Sequence, residues 1–255
     1  MENKIIKHSG NAGDIIYSLS SLRDHAIKNN IAYNFDLLLN QPSGFTDETH
    51  PLGTVMMNEG MANFLKPLLE AQDYINEVNL VTEAKPMYYF DLDRFRKDYY
   101  NLSAGNIQNW IANSYPELRP NLSEQCLFVE PIKTDYILVN RTTRYNNIFI
   151  DYTFLDRYEN VYFIGLEKEF KRMAIHSDKI KHLPFKDAYE MAQYIAGCKL
   201  FIGGQSMAFA IAEQLKVKRV LEQYILAPNV IPQGGEWYTF HTNDQFKRTL
   251  VSILK

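Results

Sequence analysis

From residue 135 to the C-terminus, short apolar runs alternate with helical patterns so regularly that few architectures can hold them. Residues 135–140 (DYILVN), 160–166 (NVYFIGL), 179–183, 199–202 and 219–222 read as strands. Residues 148–158, 167–175, 187–197 and 207–217 read as the intervening helices, and 244–254 as a terminal one. In 187–197, Ala188, Met191, Ala192 and Ile195 recur at three- and four-residue spacing, as on a helix packed along one side. Parallel strands need a crossover of about a dozen residues or more, so this alternation specifies a parallel sheet covered on both faces. The expected strand order is 3-2-1-4-5, with the ligand crevice beyond the C-terminal ends of its first and fourth strands, where the winding reverses.

The first half opens on a related unit. Residues 4–29, KIIKHSGNAGDIIYSLSSLRDHAIKN, read as a strand through Ile5 and Ile6, a turn carrying Asn11 and punctuated by Gly10 and Gly13, and a helix from Asp14. Ile15, Leu19, Leu22 and Ala26 make its apolar face. An aspartate there caps free N–H groups and is favoured by the helix dipole, and that is the plainest role for Asp14. Residues 33–40 follow as a strand. Residues 41–58, with two prolines and two glycines, form a long loop of the kind that often carries function. A helix over 59–74 should kink or restart at Pro67. Short strands over 76–81 and 87–92, a helix over 103–115 and a linker at 116–125 (PELRPNLSEQ) complete this half. The chain is therefore expected to divide into an N-terminal domain, 1–125, and a C-terminal one, 126–255.

Composition excludes several classes. A net charge of −3, from 27 basic and 30 acidic residues, leaves no footprint for duplex nucleic acid or anionic lipid. Two cysteines, Cys126 and Cys198, make no disulfide framework and point to a reducing compartment. No signal-peptide pattern or transmembrane-length apolar run occurs, so a cytoplasmic location is expected. The N-x-S/T triplets at Asn101, Asn121 and Asn140 are then chance matches. The six histidines, His8, His25, His50, His176, His182 and His241, lack ligand spacing, and no metal site is expected. The dinucleotide fingerprint G-x-G-x-x-G, the P-loop G-x-x-x-x-G-K-[ST] and the G-x-S-x-G elbow are all missing.

The crevice rule then singles out particular residues. The first strand of the second half runs into Arg141, Thr142, Thr143 and Arg144, and the fourth into Gly203, Gly204, Gln205 and Ser206 at a helix start. Arginines supply charge-assisted donors, and glycines let backbone N–H groups approach an anion at a helix N-terminus. Gly165 and Glu167, after the second strand, and Glu222, ending the fifth, lie on the same rim as candidates for ribose or base contacts. An aromatic run, Tyr88, Tyr89, Phe90, Phe95, Tyr99 and Tyr100, is interleaved with Arg94, Arg96 and Lys97 and is able to stack bases or sugar rings, though core and rim packing is its ordinary use.

Two such α/β halves look like a GT-B glycosyltransferase. GNAGDIIYSLSSLR resembles the G-D-x-x-x-x-L-P-x-L-R signature of ADP-heptose:lipopolysaccharide heptosyltransferases, glycosyltransferase family 9: Gly13, Asp14, Leu19, Leu22 and Arg23 match, and Ser20 replaces the proline. KLFIGGQSMAFAIAEQLKVKRV is similar to the family's donor-binding segment. The family carries an aspartate in the loop where this chain has Gly203 to Ser206, and Arg141 or Arg144 stands where a phosphate-contacting Lys or Arg is expected. The resemblance implies two Rossmann-like parallel-sheet domains facing a cleft, with a reduced N-terminal domain. It implies inverting, metal-independent transfer from a nucleotide sugar, with no cofactor and with Asp14 as general base. Asn11, Gly13, Arg141, Thr142, Arg144 and Gly203 to Ser206 would bind the donor phosphates. The acceptor would be a glycan or another hydroxyl-bearing molecule, with nucleic acid as a further possibility. The same scaffold also suits a nucleotide-sugar epimerase or hydrolase, or a non-catalytic nucleotide-binding module.

Overall fold

A computed structural model describes residues 4–44, 51–98, 101, 103–173, 177 and 179–254. The first half contains β1 (Lys4–His8), α1 (Ala12–Asn29), β2 (Tyr33–Leu38), α2 (Glu59–Glu70), β3 (Ile75–Val81), β4 (Phe90–Asp91), α3 (Phe95–Asp98) and α4 (Ile107–Asn113). The second contains β5 (Ile137–Asn140), a 3₁₀ helix (Tyr152–Arg157), β6 (Val161–Phe163), α5 (Glu167–Met173), β7 (Lys181–His182), α6 (Ala188–Gly197), β8 (Leu200–Gly204), α7 (Met207–Leu215), β9 (Arg219–Glu222), β10 (Trp237–Phe240) and α8 (Asn243–Ile253).

Each half builds its own sheet, and all paired strands run parallel. The smaller has the order β3-β2-β1-β4 and the larger β10-β9-β8-β5-β6-β7. Counted from its own first strand, the larger sheet is 3-2-1-4-5 with a sixth strand, β10, added at the edge. Its strands alternate faces with period two. Leu138, Phe201 and Leu221 join one apolar cluster, while Ile137, Val139, Ile202 and Val220 join a second with Phe240 and Phe246. The first cluster continues into the other half through Ile6, Ile15, Leu19, Ala208 and Ile211, because α1 packs directly against α7. α2 likewise packs on α6, so the halves meet along two helix pairs.

Several local expectations differ from what forms. α2 runs through Pro67 without interruption. The ring falls within the last turn, and burial of Leu65, Leu68 and Leu69 favours keeping the helix regular. The helix expected over 148–158 is only a 3₁₀ turn begun by Asp151, whose side chain accepts from Thr153 N–H, while Ile148 and Phe149 stay exposed. β10 has no counterpart among the expected strands: it is four residues long, and Trp237 is exposed at its start. The loop over 41–58 folds back on itself through an antiparallel bridge between Pro42 and Val55, with Ser43 N–H donating to Thr54 O at 2.8 Å. Its residues 45–50, with His50, lie outside the described residues, as do His176, Tyr99 and Tyr100. Among the described residues no helix is long and apolar enough to cross a membrane.

Candidate active site

Two cavities open where the halves meet. The larger, about 350 Å³, lies among the starts of α1 and α7, the loop after β5, the start of α5 and an apolar wall from Leu52, Met61, Phe64, Phe185 and Met191. The smaller, about 220 Å³, is lined by Asp14, Tyr17, Arg96, Tyr145 and Asn229 among others. Asn11, Gly13, Arg144, Gln205, Ser206 and Met207 line both, so the two are lobes of one cleft.

The cleft is electrostatically shaped by two helix starts. α7 begins at Ser206, whose Oγ accepts from Phe209 N–H at 3.2 Å. α1 begins at Asn11, whose side chain makes no capping bond and whose Oδ1 has no partner among the described residues. The first amides of α1 are therefore left without a side-chain acceptor at the positive end of an 18-residue helix. Gly13 packs against the backbone of Met207, so the two starts abut. Such a pair of termini attracts an anion placed between them.

Asp14 does not cap α1, which starts two residues before it. Its Oδ2 accepts from Arg96 Nη2, and Arg96 Nη1 donates to Asp93 Oδ1 at 2.6 Å. Oδ1 of Asp14 carries no hydrogen bond from the described residues. The carboxylate lines the smaller lobe. Burial pushes the Asp93 carboxyl up, but His8, Arg96 and Lys7 outweigh that and hold it well below the usual carboxylate range.

The phosphate-side candidates divide. Arg144 and Thr142 line the larger lobe, with the Arg144 guanidinium 4.7 Å over the Tyr145 ring and Thr142 Oγ1 donating to Arg144 O at 2.7 Å. Arg141 turns away from both lobes. Its Nε donates to Glu222 Oε2 at 2.9 Å, its Nη2 donates to Glu222 Oε1 at 3.2 Å, and its guanidinium lies over the Tyr152 ring. Glu222 is fully buried and also accepts from Tyr152 Oη and Asn147 N–H, so its oxygens are occupied and no ribose reaches it. Arg141 and Glu222 thus form an internal ion pair that reaches across the end of β8, which lies between β5 and β9 and ends in Gly203 and Gly204, and a buried charge demands the nearest opposite one.

Gly203 and Gly204 also differ from expectation, for they are the last residues of β8 and not a turn. Neither lines a lobe. Gly203 is bare because a Cβ there would lie 2.8 Å from the Phe201 ring and 3.2 Å from Asn140 O. Gln205 does line the cleft, but its amide is spent on the following segment: Nε2 donates to Ala227 O and to Asn229 Oδ1, and Oε1 accepts from Tyr224 N–H. On the other rim Gly165 lines the larger lobe, whereas Glu167 is exposed and paired with Lys171 at 2.6 Å.

Glu169, in the first turn of α5, lies on the rim where Glu167 was expected. It lines the larger lobe and is almost fully buried, and burial pushes its carboxyl above the ordinary value against N–H groups of Leu166 and Thr143. Asn140, ending β5, also lines that lobe, with Nδ2 donating to Ile164 O at 2.6 Å and Oδ1 unpartnered among the described residues. The signal for both was present as the crevice rule itself, since each sits at or just beyond a strand end. Asp93 and Arg96 were hidden in the aromatic run. Phe90 and Phe95 are core residues, and Tyr89 packs with His25, Tyr33 and Phe90.

No family model matches the chain, and no curated protein matches it by sequence. Solved structures match its fold. E. coli ADP-heptose LPS heptosyltransferase II gives a TM-score of 0.63 at 13% identity, over 99% of this chain and 98% of its own. E. coli heptosyltransferase WaaC, solved with ADP, gives 0.59 at 12% identity, over 98% of this chain and 99% of its own. A family 9 glycosyltransferase from Veillonella parvula gives 0.50 at 12% identity, over 100% of this chain and 92% of its own. At these identities the likeness is one of fold: two parallel sheets facing a cleft, the GT-B arrangement of the heptosyltransferases.

Proposed function

We propose that this chain is a glycosyltransferase that moves a sugar from a nucleotide-sugar donor to an acceptor hydroxyl. One observation carries the reading. A carboxylate on the first half and a helix start on the second open onto the same two-lobed cleft, sharing Asn11, Gly13, Arg144 and Ser206. The larger lobe suits the donor, with its apolar wall for a base or sugar face and Asn140 and Glu169 as hydrogen-bonding groups. The smaller lobe, with Asp14, suits the acceptor.

In the reaction Asp14 takes the proton of the acceptor hydroxyl, whose oxygen attacks the anomeric carbon while the bond to the diphosphate oxygen breaks. A single displacement of this kind inverts the anomeric centre. Arg144 and the starts of α1 and α7 meet the charge on the departing diphosphate, which is electrostatic stabilisation where charge develops. General-base action contributes about 10²–10⁴-fold. That a structure sharing this fold was solved with ADP supports a nucleotide diphosphate here, and the sugar and acceptor follow from assay.

A thermal-shift screen against nucleotides and nucleotide sugars tests the donor site. A ligand at about 100 times its dissociation constant stabilises by roughly 2.7 kcal/mol, or on the order of 5–10 °C at this length. A selective shift by one nucleotide diphosphate or its sugar is expected. No shift with any of them, from a folded sample, would remove the donor-site reading.

A further inference from the structure

The group that fixes the Asp14 carboxylate comes from 82 positions further along the chain. Arg96 bridges two carboxylates with separate nitrogens, Nη2 on Asp14 and Nη1 on Asp93. Asp93 is itself held from the end of β1. Ser9 N–H and Ser9 Oγ each donate to its Oδ2 at 2.7 Å, Lys7 Nζ lies 3.3 Å from Oδ2, and His8 Nδ1 lies 3.0 Å from Oδ1. An anion held by the two Ser9 donors and the Lys7 ammonium is a fixed point, with His8 Nδ1 itself taken by the Gly10 N–H, and the guanidinium resting on that anion is fixed with it. The planar fork of arginine makes such a bridge possible, whereas the point charge of lysine reaches one partner at a time.

Gly10 supplies the space. A Cβ at that position would lie 2.9 Å from Arg96 Cζ and 2.7 Å from His8 Cε1, so any side chain would displace the guanidinium from its path to Asp14. Asp93, Arg96 and Gly10 therefore serve one contact, made at the wall of the smaller lobe.

We propose that Arg96, anchored on Asp93 and given room by Gly10, is a positioning residue that occupies one oxygen of Asp14 and leaves the other for the acceptor hydroxyl. The proposal rests on the reading of Asp14 as general base. Misplacing a reacting group by about 1 Å costs on the order of 10²-fold in rate, which sets the expected scale.

The test compares Arg96→Lys, Arg96→Ala, Gly10→Ala and Asp14→Asn with the parent protein in release of the nucleoside diphosphate from ADP-heptose, ADP-glucose, UDP-glucose and GDP-mannose, with water as the acceptor whose proton Asp14 takes. Crystal structures of Arg96→Lys and Gly10→Ala accompany the assay. The expected result is a kcat lowered roughly 30- to 100-fold in Arg96→Lys and Gly10→Ala, with donor KM within about twofold. Guanidinium ion added below denaturing concentration restores turnover to Arg96→Ala and not to Asp14→Asn. The crystal structures show the Asp14 carboxylate turned or in several positions. Parent-like kcat in both Arg96 variants, or an Asp14 carboxylate unmoved in Arg96→Lys, would overturn the proposal. Parent-like turnover in Asp14→Asn, or no release by the parent from any of the four donors, would instead count against the general-base reading. In that event the crystal structures still decide whether Arg96 positions Asp14.

Discussion

Arg141 and Glu222, 81 residues apart in sequence, close on each other through two hydrogen bonds of 2.9 and 3.2 Å across the end of β8, which separates their strands in the sheet. Glu222 is fully buried, and the Arg141 side chain is 18% exposed. Removing one partner strands a charge, and the cost of breaking such a pair is about 3–5 kcal/mol. Arg141→Ala is expected to lower stability by that order in denaturant titration, and the double variant Arg141→Gln, Glu222→Gln is expected to recover much of it. In whatever folded fraction remains, nucleotide affinity should stay within about twofold of the parent, a change of roughly 0.4 kcal/mol. A large loss of affinity with stability intact would return Arg141 to the phosphate site.

Asp14 is not the cap of α1, and its side chain turns to Arg96 from within the first turn, so its share in holding the helix is limited to the modest favour of the helix dipole. Asp14→Asn should therefore keep a melting temperature close to the parent. It should also keep the thermal shift given by the best nucleotide, while turnover falls by about 10²-fold or more. Should nucleotide binding vanish with turnover, Asp14 would be a binding residue and the proposed chemistry would fail.

Asp93 is expected to contribute to the acid dependence of stability. Its folded-state pKa is lowered, since the pull of His8, Arg96 and Lys7 exceeds the opposing effect of burial. A lowered carboxylate contributes stability that is complete above its ordinary value of 3.8 and is lost as pH falls through the folded-state value. The stability difference between the parent and Asp93→Asn is thus expected to be largest at neutral pH and to shrink below about pH 4. Urea titrations at stepped pH measure it. A difference that holds constant into strong acid would mean that packing, not charge, is what Asp93 supplies.

Glu169 works in the opposite sense. Burial raises its carboxyl above the ordinary value of 4.5, so the stability tied to its protonated form is lost as pH rises through the folded-state value. Glu169→Gln matches the protonated form in shape and is expected to flatten that decline. At neutral pH the variant should be as stable as the parent or more so, with weaker nucleotide-sugar binding by calorimetry. A variant that is less stable at every pH would place Glu169 among structural residues.

The alternation of apolar runs and helical faces in the second half made the doubly wound order of that sheet legible, and the crevice rule pointed to Arg144, Thr142 and Ser206, which line the cleft, while Asp14 came from the strand-turn-helix pattern of the first half. What could not be read was the fate of each polar side chain. Glu167 and Glu169 lie two residues apart on one short helix, and only the packing of α5 decides that the first meets solvent and the second the cleft. Gln205 stands at the crevice, yet its amide is committed to the segment from Tyr224 to Asn229, which carries no sequence signal for that contact.

By itself the amino-acid sequence determined the two parallel sheets, the position of their crevices and the placing of an aspartate at the start of the first long helix. Local periodicity and turn chemistry encode these, and both are properties of neighbours along the chain. Tertiary structure alone decided which charges face a ligand and which face each other. Arg141 closes on Glu222 and Arg96 on Asp14 across 81 and 82 residues, because burial makes an unpaired charge costly and each charge takes the opposite one that the folded sheets bring within reach.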